Sequence, residues 1–275
     1  MSATAALLFG VFGVAVGAFG TIVGAGGGFI LTPLLLIIYP HTPAATITSI
    51  SLVAVFANAG SGSVAYARQR RIDYRSATLF AAAALPGSIL GALAVGLIPR
   101  RAFDVLTAVV LLSMAVWLML DPPGRKRTPR GRLTHRHLVD RAGHAFDYDV
   151  PLRRGVVYSA GVGFLSSLLG IGGGIIHVPL MARALGFPTH LATAASHFVL
   201  AVTSGTASVT HVINGSFTHS RDIVLALILG IAMAFGAQIG ARLSVRMSGM
   251  LIERLLVASL VLLAVRLMLT SIGVM

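Results

Sequence analysis

The chain has 275 residues, a mean hydropathy of +0.90, 56% hydrophobic residues and only 11% charged ones, so most of its surface must be solvated by lipid and not by water. Twenty-one Lys and Arg against eight Asp and Glu give a formal charge of +13, but these charges avoid the long apolar stretches and gather in short connectors, a topological pattern and not a nucleic-acid footprint. The absence of cysteine excludes a disulfide framework, a thiolate metal site and an iron–sulfur cluster.

In chain order the apolar stretches run from Ser2 to Tyr39, Ala44 to Ala67, Ser76 to Ile98, Ala102 to Leu120, Gly155 to Leu185, Leu191 to Ile213, Ile223 to Leu243 and Met250 to Ser271. Most suit one helix across a hydrocarbon core of about 30 Å. The opening stretch would make a helix of about 57 Å if unbroken, so it is expected to break at Gly24-Ala25-Gly26-Gly27-Gly28. No charged side chain occurs before Arg68, so the N-terminus lacks the basic region of a signal peptide and is expected to remain as a membrane segment. Between Asp121 and Arg154 lies the one long polar segment, with nine basic residues, four acids and Pro122-Pro123-Gly124, which reads as a solvated linker. The expected organisation is a first transmembrane repeat over 1–120, a basic linker over 121–154 and a second repeat over 155–275.

The repeat is visible residue by residue. Gly24-Ala25-Gly26-Gly27-Gly28 with Pro33 returns as Gly170-Ile171-Gly172-Gly173-Gly174 with Pro179, at an offset of 146. Thr48, Ser51, Gly60 and Ser63 meet Thr193, Ser196, Gly205 and Ser208 at 145, and Gly87 and Gly91 meet Gly236 and Gly240 at 149. A duplicated half accounts for this. If each glycine-broken stretch is a hairpin, the halves are inverted and 17 of the 21 basic residues fall on the linker side; a single crossing there gives 15 to 6. The positive-inside rule therefore favours inversion with a cytoplasmic linker. The expected fold is an all-α polytopic membrane protein of two inverted repeats, each a glycine-broken helical hairpin plus three transmembrane helices.

The paired Gly-x-Gly-Gly-Gly segments with prolines five residues on, the two halves and the basic central linker resemble the TauE/SafE family of proposed sulfite and organosulfonate exporters. The resemblance covers essentially everything outside Asp121 to Arg154. It implies an anion transporter of the cytoplasmic (inner) membrane, without fixing the anion.

The residues support their own reading. Glycines in an apolar segment expose backbone amides, and a helix restarting there adds its dipole, so Gly26, Gly27, Gly28, Gly172, Gly173 and Gly174 are candidate anion contacts; the plain alternative is close helix packing. Nucleotide binding is rejected, since Phe29 stands where a third glycine belongs and no Lys-Ser or Lys-Thr follows. Thr48, Ser51, Val55, Asn58 and Gly62 form one helical stripe, with Thr193, Ser196, Leu200, Thr203 and Ala207 as its mate. Ser51, Asn58, Ser196 and Thr203 could replace part of an oxyanion's hydration shell, or simply bond helix to helix.

All eight acids lie in connectors or at segment ends, which argues against a carboxylate-based cation pump. His177 and His197 are the titratable candidates within apolar segments, as proton-coupling groups or as packed neutral side chains, and His197 joins the binding set because it adjoins Ser196. His135-Arg136-His137 with Asp140 and His144 matches no firm metal spacing, and no metal, cofactor or nucleic-acid partner is expected. The expected partners are a small anion, the bilayer and, as an open option, a second copy of the chain. The reading is a secondary exporter of a small sulfur oxyanion, with a passive anion channel as alternative. A membrane-embedded enzyme is disfavoured because no paired carboxylates or Ser-His-acid set falls inside the membrane.

Overall fold

The computed structural model describes residues 3–120 and 133–271. Ten helices follow in chain order: α1 (Ala3–Val23), α2 (Gly28–Ile38), α3 (Ala44–Arg68), α4 (Tyr74–Ala94), α5 (Arg100–Leu120), α6 (Leu152–Leu169), α7 (Gly174–Pro179), α8 (Thr189–Ile213), α9 (Ser220–Ser244) and α10 (Gly249–Ser271). A short π-helical turn, Leu180–Ala184, extends α7. Five described helical segments are long and apolar enough to cross a membrane: Thr4–Val23, Ala44–Arg68, Tyr74–Leu97, Arg100–Leu120 and Ser220–Ser244. The chain is an all-α polytopic membrane protein with one small β-hairpin.

The two glycine clusters break the helices as the overlong stretches require, for a conformational reason. Gly24, Gly26 and Gly27 have φ of 85°, 70° and 77°, and Gly170, Gly172 and Gly173, their mates, have 66°, 79° and 64°. A side chain is strained at each of these six positions. After the break the chain turns back: the amides of Ala25 and Gly26 both reach the carbonyl of Gly20, at 2.8 and 3.1 Å, and a Cβ on Gly27 would stand 2.9 Å from Val16. α2 is thus the returning arm of a hairpin, shorter than a span at 11 residues.

Glycines also set the long contacts. Gly13 and Gly17 of α1 lie against Leu229, Ala232 and Met233 of α9, while Gly236 and Gly240 of α9 lie against Val14 and Ala18. The same arrangement recurs where Gly163 of α6 meets Ala84, and Gly87 and Gly91 of α4 meet Ala160, Phe164 and Leu168. Both pairs run parallel, and with no Cβ the backbones come close enough for dispersion to hold them. α3 and its mate α8 instead run antiparallel: Leu52 clusters with Ala207, Val55 with Leu200, and Gly62 faces His197.

From residue 133 on the linker departs from the expected solvated segment, whereas residues 121–132 lie outside the described residues. Thr134–Val139 (β1) and Ala145–Val150 (β2) form an antiparallel hairpin with Arg136 opposite Tyr148 and Leu138 opposite Phe146. Alternation puts Arg136, Leu138, Phe146, Tyr148 and Val150 on one face, which packs onto the helices beside Ile72, Leu185, Phe187 and Leu191. His135, His137, Asp147 and Asp149 occupy the exposed face, where His137 pairs with Asp147 at 2.7 Å and His135 with Asp149 at 3.1 Å. The hairpin's turn is anchored by Asp140, which accepts from the amides of Ala142 (2.9 Å) and His144 (3.0 Å) and from the Arg71 guanidinium (3.0 Å).

Candidate functional site

The two glycine breaks meet at the centre of the helix assembly. A Cβ on Gly28 would stand 2.7 Å from the carbonyl oxygen of Ile171, and one on Gly174 would stand 2.5 Å from the Cα of Ala25. Backbone therefore passes against backbone, and these positions demand glycine for closeness as well as for φ. Val55 and Leu200, mates in the two polar stripes, both press on Gly26 and Gly172.

The stripe of each half holds the hairpin of the other. Ser51 of α3 donates to the carbonyl of Gly170 at 2.8 Å, and Ser196 of α8 donates to the carbonyl of Gly24 at 3.1 Å. These two bonds are mates under the repeat, as are the contacts of Thr48 with Gly170 and of Thr193 with Gly24. Both serines are fully buried. Their hydroxyl protons are committed to backbone carbonyls in this conformation, which gives the interhelical-bond reading of the stripe a concrete partner. At the restart of α2 the first bonds run from the Ile30 and Leu31 amides to the Gly27 carbonyl, so helix geometry leaves the amides of Gly28 and Phe29 without an intrahelical partner.

Asn58 is a staple. Its amide donates to the carbonyls of Gly17 (3.0 Å) and Met233 (2.9 Å), and its oxygen accepts from the Thr21 hydroxyl at 3.2 Å, so α1, α3 and α9 are joined through one buried side chain. Thr203, its mate, donates only within its own helix, to Val199 at 3.1 Å. His197 is fully buried, with Nε2 3.3 Å from the Thr21 hydroxyl and its ring edge-on to Tyr66 at 5.4 Å between centroids. His177 turns to a different neighbour, the Ser159 hydroxyl of α6, at 3.1 Å. The fold thus gathers Gly26, Gly27, Gly28, Gly172, Gly173, Gly174, Ser51 and Ser196 at one crossing, flanks it with Asn58 and His197, and gives His177 a separate bond.

Two residues at the crossing escape a sequence reading. Thr32 donates to the Gly170 carbonyl at 2.7 Å and lies 2.8 Å from the Ser51 hydroxyl; its mate is Val178, so comparing the halves gives no hint of it. Thr21 bridges Asn58 and His197, and its carbonyl accepts from the Tyr66 hydroxyl at 2.8 Å. A polar residue one turn before a glycine break was the available signal.

A concavity of about 110 Å³ lies toward the α2–α3 connector and is lined by Tyr39, Thr42, Ile47, Ile50, Arg221, Asp222 and Leu225. Beside it Arg100 ties that connector to α5, donating to the carbonyls of Leu36, Tyr39 and Thr42 and pairing with Asp104 at 2.9 Å. At the opposite ends of the helices the buried pair Arg183–Glu253, at 3.0 Å, joins the α7 extension to α10, and Thr189 donates to the same carboxylate at 3.1 Å. Among the described residues no group of three or more His, Cys, Asp or Glu side chains is disposed to hold a metal ion.

Comparison with known proteins agrees with this architecture. A family model described as "Sulfite exporter TauE/SafE" matches residues 9–267. The chain is 31% identical over 212 residues to "Probable membrane transporter protein YunE" of Bacillus subtilis (strain 168), covering 74% of this chain and 77% of that protein. It is 32% identical over 177 residues to a "Probable membrane transporter protein" of Xylella fastidiosa (strain 9a5c), with 63% and 61% covered. With "Probable membrane transporter protein MJ0441" of Methanocaldococcus jannaschii it shares 26% over 199 residues, with 70% and 67% covered. No solved structure matches. With its helices broken at two glycine clusters and a family match over nearly its whole length, the chain belongs to the TauE/SafE sulfite exporter family.

Proposed function

We propose that the protein is a secondary transporter that exports a small sulfur-containing oxyanion, such as sulfite or an organosulfonate, across the cytoplasmic membrane. The observation that carries the reading is the reciprocal crossing, in which each glycine hairpin is held by a serine of the other half. α3 and α8 run antiparallel across it, the relation that inverted repeats 1–120 and 155–275 would have, with the basic linker 121–154 at the cytoplasmic face. In such a protein a substrate binds between the repeats and exchange of access is a rocking of one against the other.

In this reading the packed crossing is the closed arrangement. When the hairpins part, Ser51 and Ser196 lose their carbonyl acceptors and become donors to an anion, beside the amides at the restart of α2. The backbones of Gly26, Gly27, Gly28, Gly172, Gly173 and Gly174 supply the close approach, Asn58 and Thr203 frame the sides, and His197 is the candidate for proton coupling, with His177 as second candidate. The absence of a carboxylate at the crossing suits an anion, because nothing there repels it.

The test is flux into liposomes containing purified protein, offered sulfite, sulfate, thiosulfate, small sulfonates and carboxylates. Saturable counterflow restricted to the sulfur oxyanions is the expected result; counterflow of carboxylates alone, or single-channel currents, would overturn the assignment. Sidedness is checked by single cysteines at the exposed positions His144 and Asn214. These are expected to react from opposite faces, His144 from the cytoplasm.

A further inference from the structure

The two faces of the transporter differ at positions that the repeat makes equivalent. On the face bearing the α2–α3 connector, the cavity is lined by Thr42, Ile47, Ile50, Asp222 and Leu225. The repeat offsets send these to Phe187, Ala192, Ala195, Asp73 and Ser76 on the linker face. Ile47, Ile50, Asp222 and Leu225 are as buried as their counterparts, and only Thr42 is more open than its own, Phe187; the faces differ in that the linker's β-hairpin packs against Phe187, Asp73 and Ser76. Tyr148 packs at a tilt of 50° against Phe187, at 5.0 Å between centroids, and donates its hydroxyl to Asp73 at 3.0 Å. Arg136, opposite Tyr148 in the hairpin register, pairs with the same carboxylate at 3.4 Å and donates to the Ser76 hydroxyl at 3.2 Å. Leu138, Phe146 and Val150 pack into the same cluster as Ala192, Ala195 and Leu185.

We infer that this hairpin is an intramolecular plug: residues 134–150 occupy the linker-face vestibule that the repeat would otherwise leave open, and Tyr148 and Arg136, converging on Asp73, are its latch. The inference rests on the transporter reading only for its consequence, that substrate passes this face when the plug lifts. The plug itself is a statement about packing. Asp73 suits a latch because it already caps α4, accepting from the Ser76 amide and hydroxyl, so its carboxylate is fixed before the hairpin arrives. The hairpin has two tethers of different kinds. Its turn is held by Arg71–Asp140 and by the Arg141 amide on the Gln69 carbonyl at 2.9 Å, while its body is held by the latch, so the body can lift while the turn stays attached.

The chain has no cysteine, so single introduced cysteines report accessibility without further changes. Ala195→Cys lies in the apolar cluster that Leu138, Phe146 and Val150 of the hairpin join, and Thr42→Cys, at the edge of the opposite cavity, serves as control. With a membrane-impermeant maleimide added from the linker face, Ala195→Cys is expected to label slowly. It should label about tenfold faster or more when Tyr148→Phe and Arg136→Gln are added, the factor that follows from losing hydrogen bonds to a charged group. Labelling of Thr42→Cys from the opposite face should be the same in both backgrounds, which shows that the protein remains folded. Equal labelling of Ala195→Cys in latched and unlatched proteins overturns the plug. The readout needs no substrate: accelerated labelling in a protein that moves none of the sulfur oxyanions would sustain the plug and remove the transport assignment. In a protein that does move them, unlatching is expected to change flux severalfold, and flux unchanged despite accelerated labelling would overturn the plug's role in access.

Discussion

Asn58 separates a structural staple from a substrate ligand. Its three hydrogen bonds join α1, α3 and α9, and each interhelical bond in a membrane protein is worth about 0.6 kcal/mol on average, so their loss costs roughly 2 kcal/mol. The carbonyls of Gly17 and Met233 lie within helices and keep their own amide donors, so they are not orphaned and the cost rises no further on their account. Asn58→Thr installs the residue found at the repeat mate and nearly conserves volume, which isolates that ~2 kcal/mol. Asn58→Ala adds a small void in a fully buried site, for a total of about 3 kcal/mol. The assay is unfolding in mixed micelles at increasing SDS fraction, with helix content as the signal. Two variants within about 0.5 kcal/mol of the parent would refute the staple, because losses that small are what substitutions away from buried features give.

The remaining predictions concern the glycine breaks and the hairpin's anchor. Gly27→Ala and Gly173→Ala should each destabilise by roughly 2–4 kcal/mol, from positive φ and from crowding against Val16 and Met233 in one case and Ser166 in the other; thermal melting in detergent tests this, and unchanged midpoints would refute it. Loss of flux in either variant is accordingly no proof of substrate contact. Burial alone would raise the Asp140 carboxyl, but the amides of His144 and Ala142 and the Arg71 guanidinium outweigh it and hold the group below the ordinary carboxylate value. A depressed folded value means that its contribution is complete above the ordinary value near 3.8, constant around neutral pH, and lost as pH falls through the lower folded value. Protection of the amides in residues 134–150, measured against the unfolded exchange rate at the same pH, should therefore fall once the pH drops below the ordinary carboxylate value, and in Asp140→Asn it should be about tenfold lower already at neutral pH.

The membrane class and the helical breaks were legible because each leaves a one-dimensional trace, uninterrupted apolar length in one case and clustered glycines in the other. The parallel packing of α1 with α9 and of α4 with α6 was foreshadowed by Gly87, Gly91, Gly236 and Gly240 without being specified, since small residues announce close contact and not the partner. The stripe through Ser51 and Asn58 was visible from its spacing, yet spacing within one helix cannot say that Ser51 reaches a carbonyl 119 residues away. The β-hairpin was hidden differently. Its inward positions, Arg136, Leu138, Phe146, Tyr148 and Val150, alternate with His and Asp, and period-2 patterning in a segment so charged reads as solvated chain.

The symmetry of the crossing also frames the coupling question. His197 has Leu52 as its mate, and both are buried, so one half carries an imidazole where the other carries an aliphatic side chain. Gly62 makes the space: a Cβ there would stand 2.5 Å from the ring, and Tyr66 closes the other side. Among the described residues no acidic side chain hydrogen-bonds the ring; its polar neighbours are the Thr21 hydroxyl and the Thr193 backbone. A proton on His197 in the closed crossing would be a buried cation without a counter-charge, which is costly. An arriving oxyanion supplies that counter-charge, so proton and anion would stabilise each other's entry, and neither would be retained alone. The expected outcome is flux that rises as pH falls in the parent and loses that dependence in His197→Gln, which keeps a hydrogen-bonding side chain but cannot titrate. The same comparison under an imposed proton gradient should show substrate accumulation in the parent and none in the variant. Identical pH profiles and identical responses to the gradient would remove His197 from coupling and leave it as a packing residue beside Tyr66.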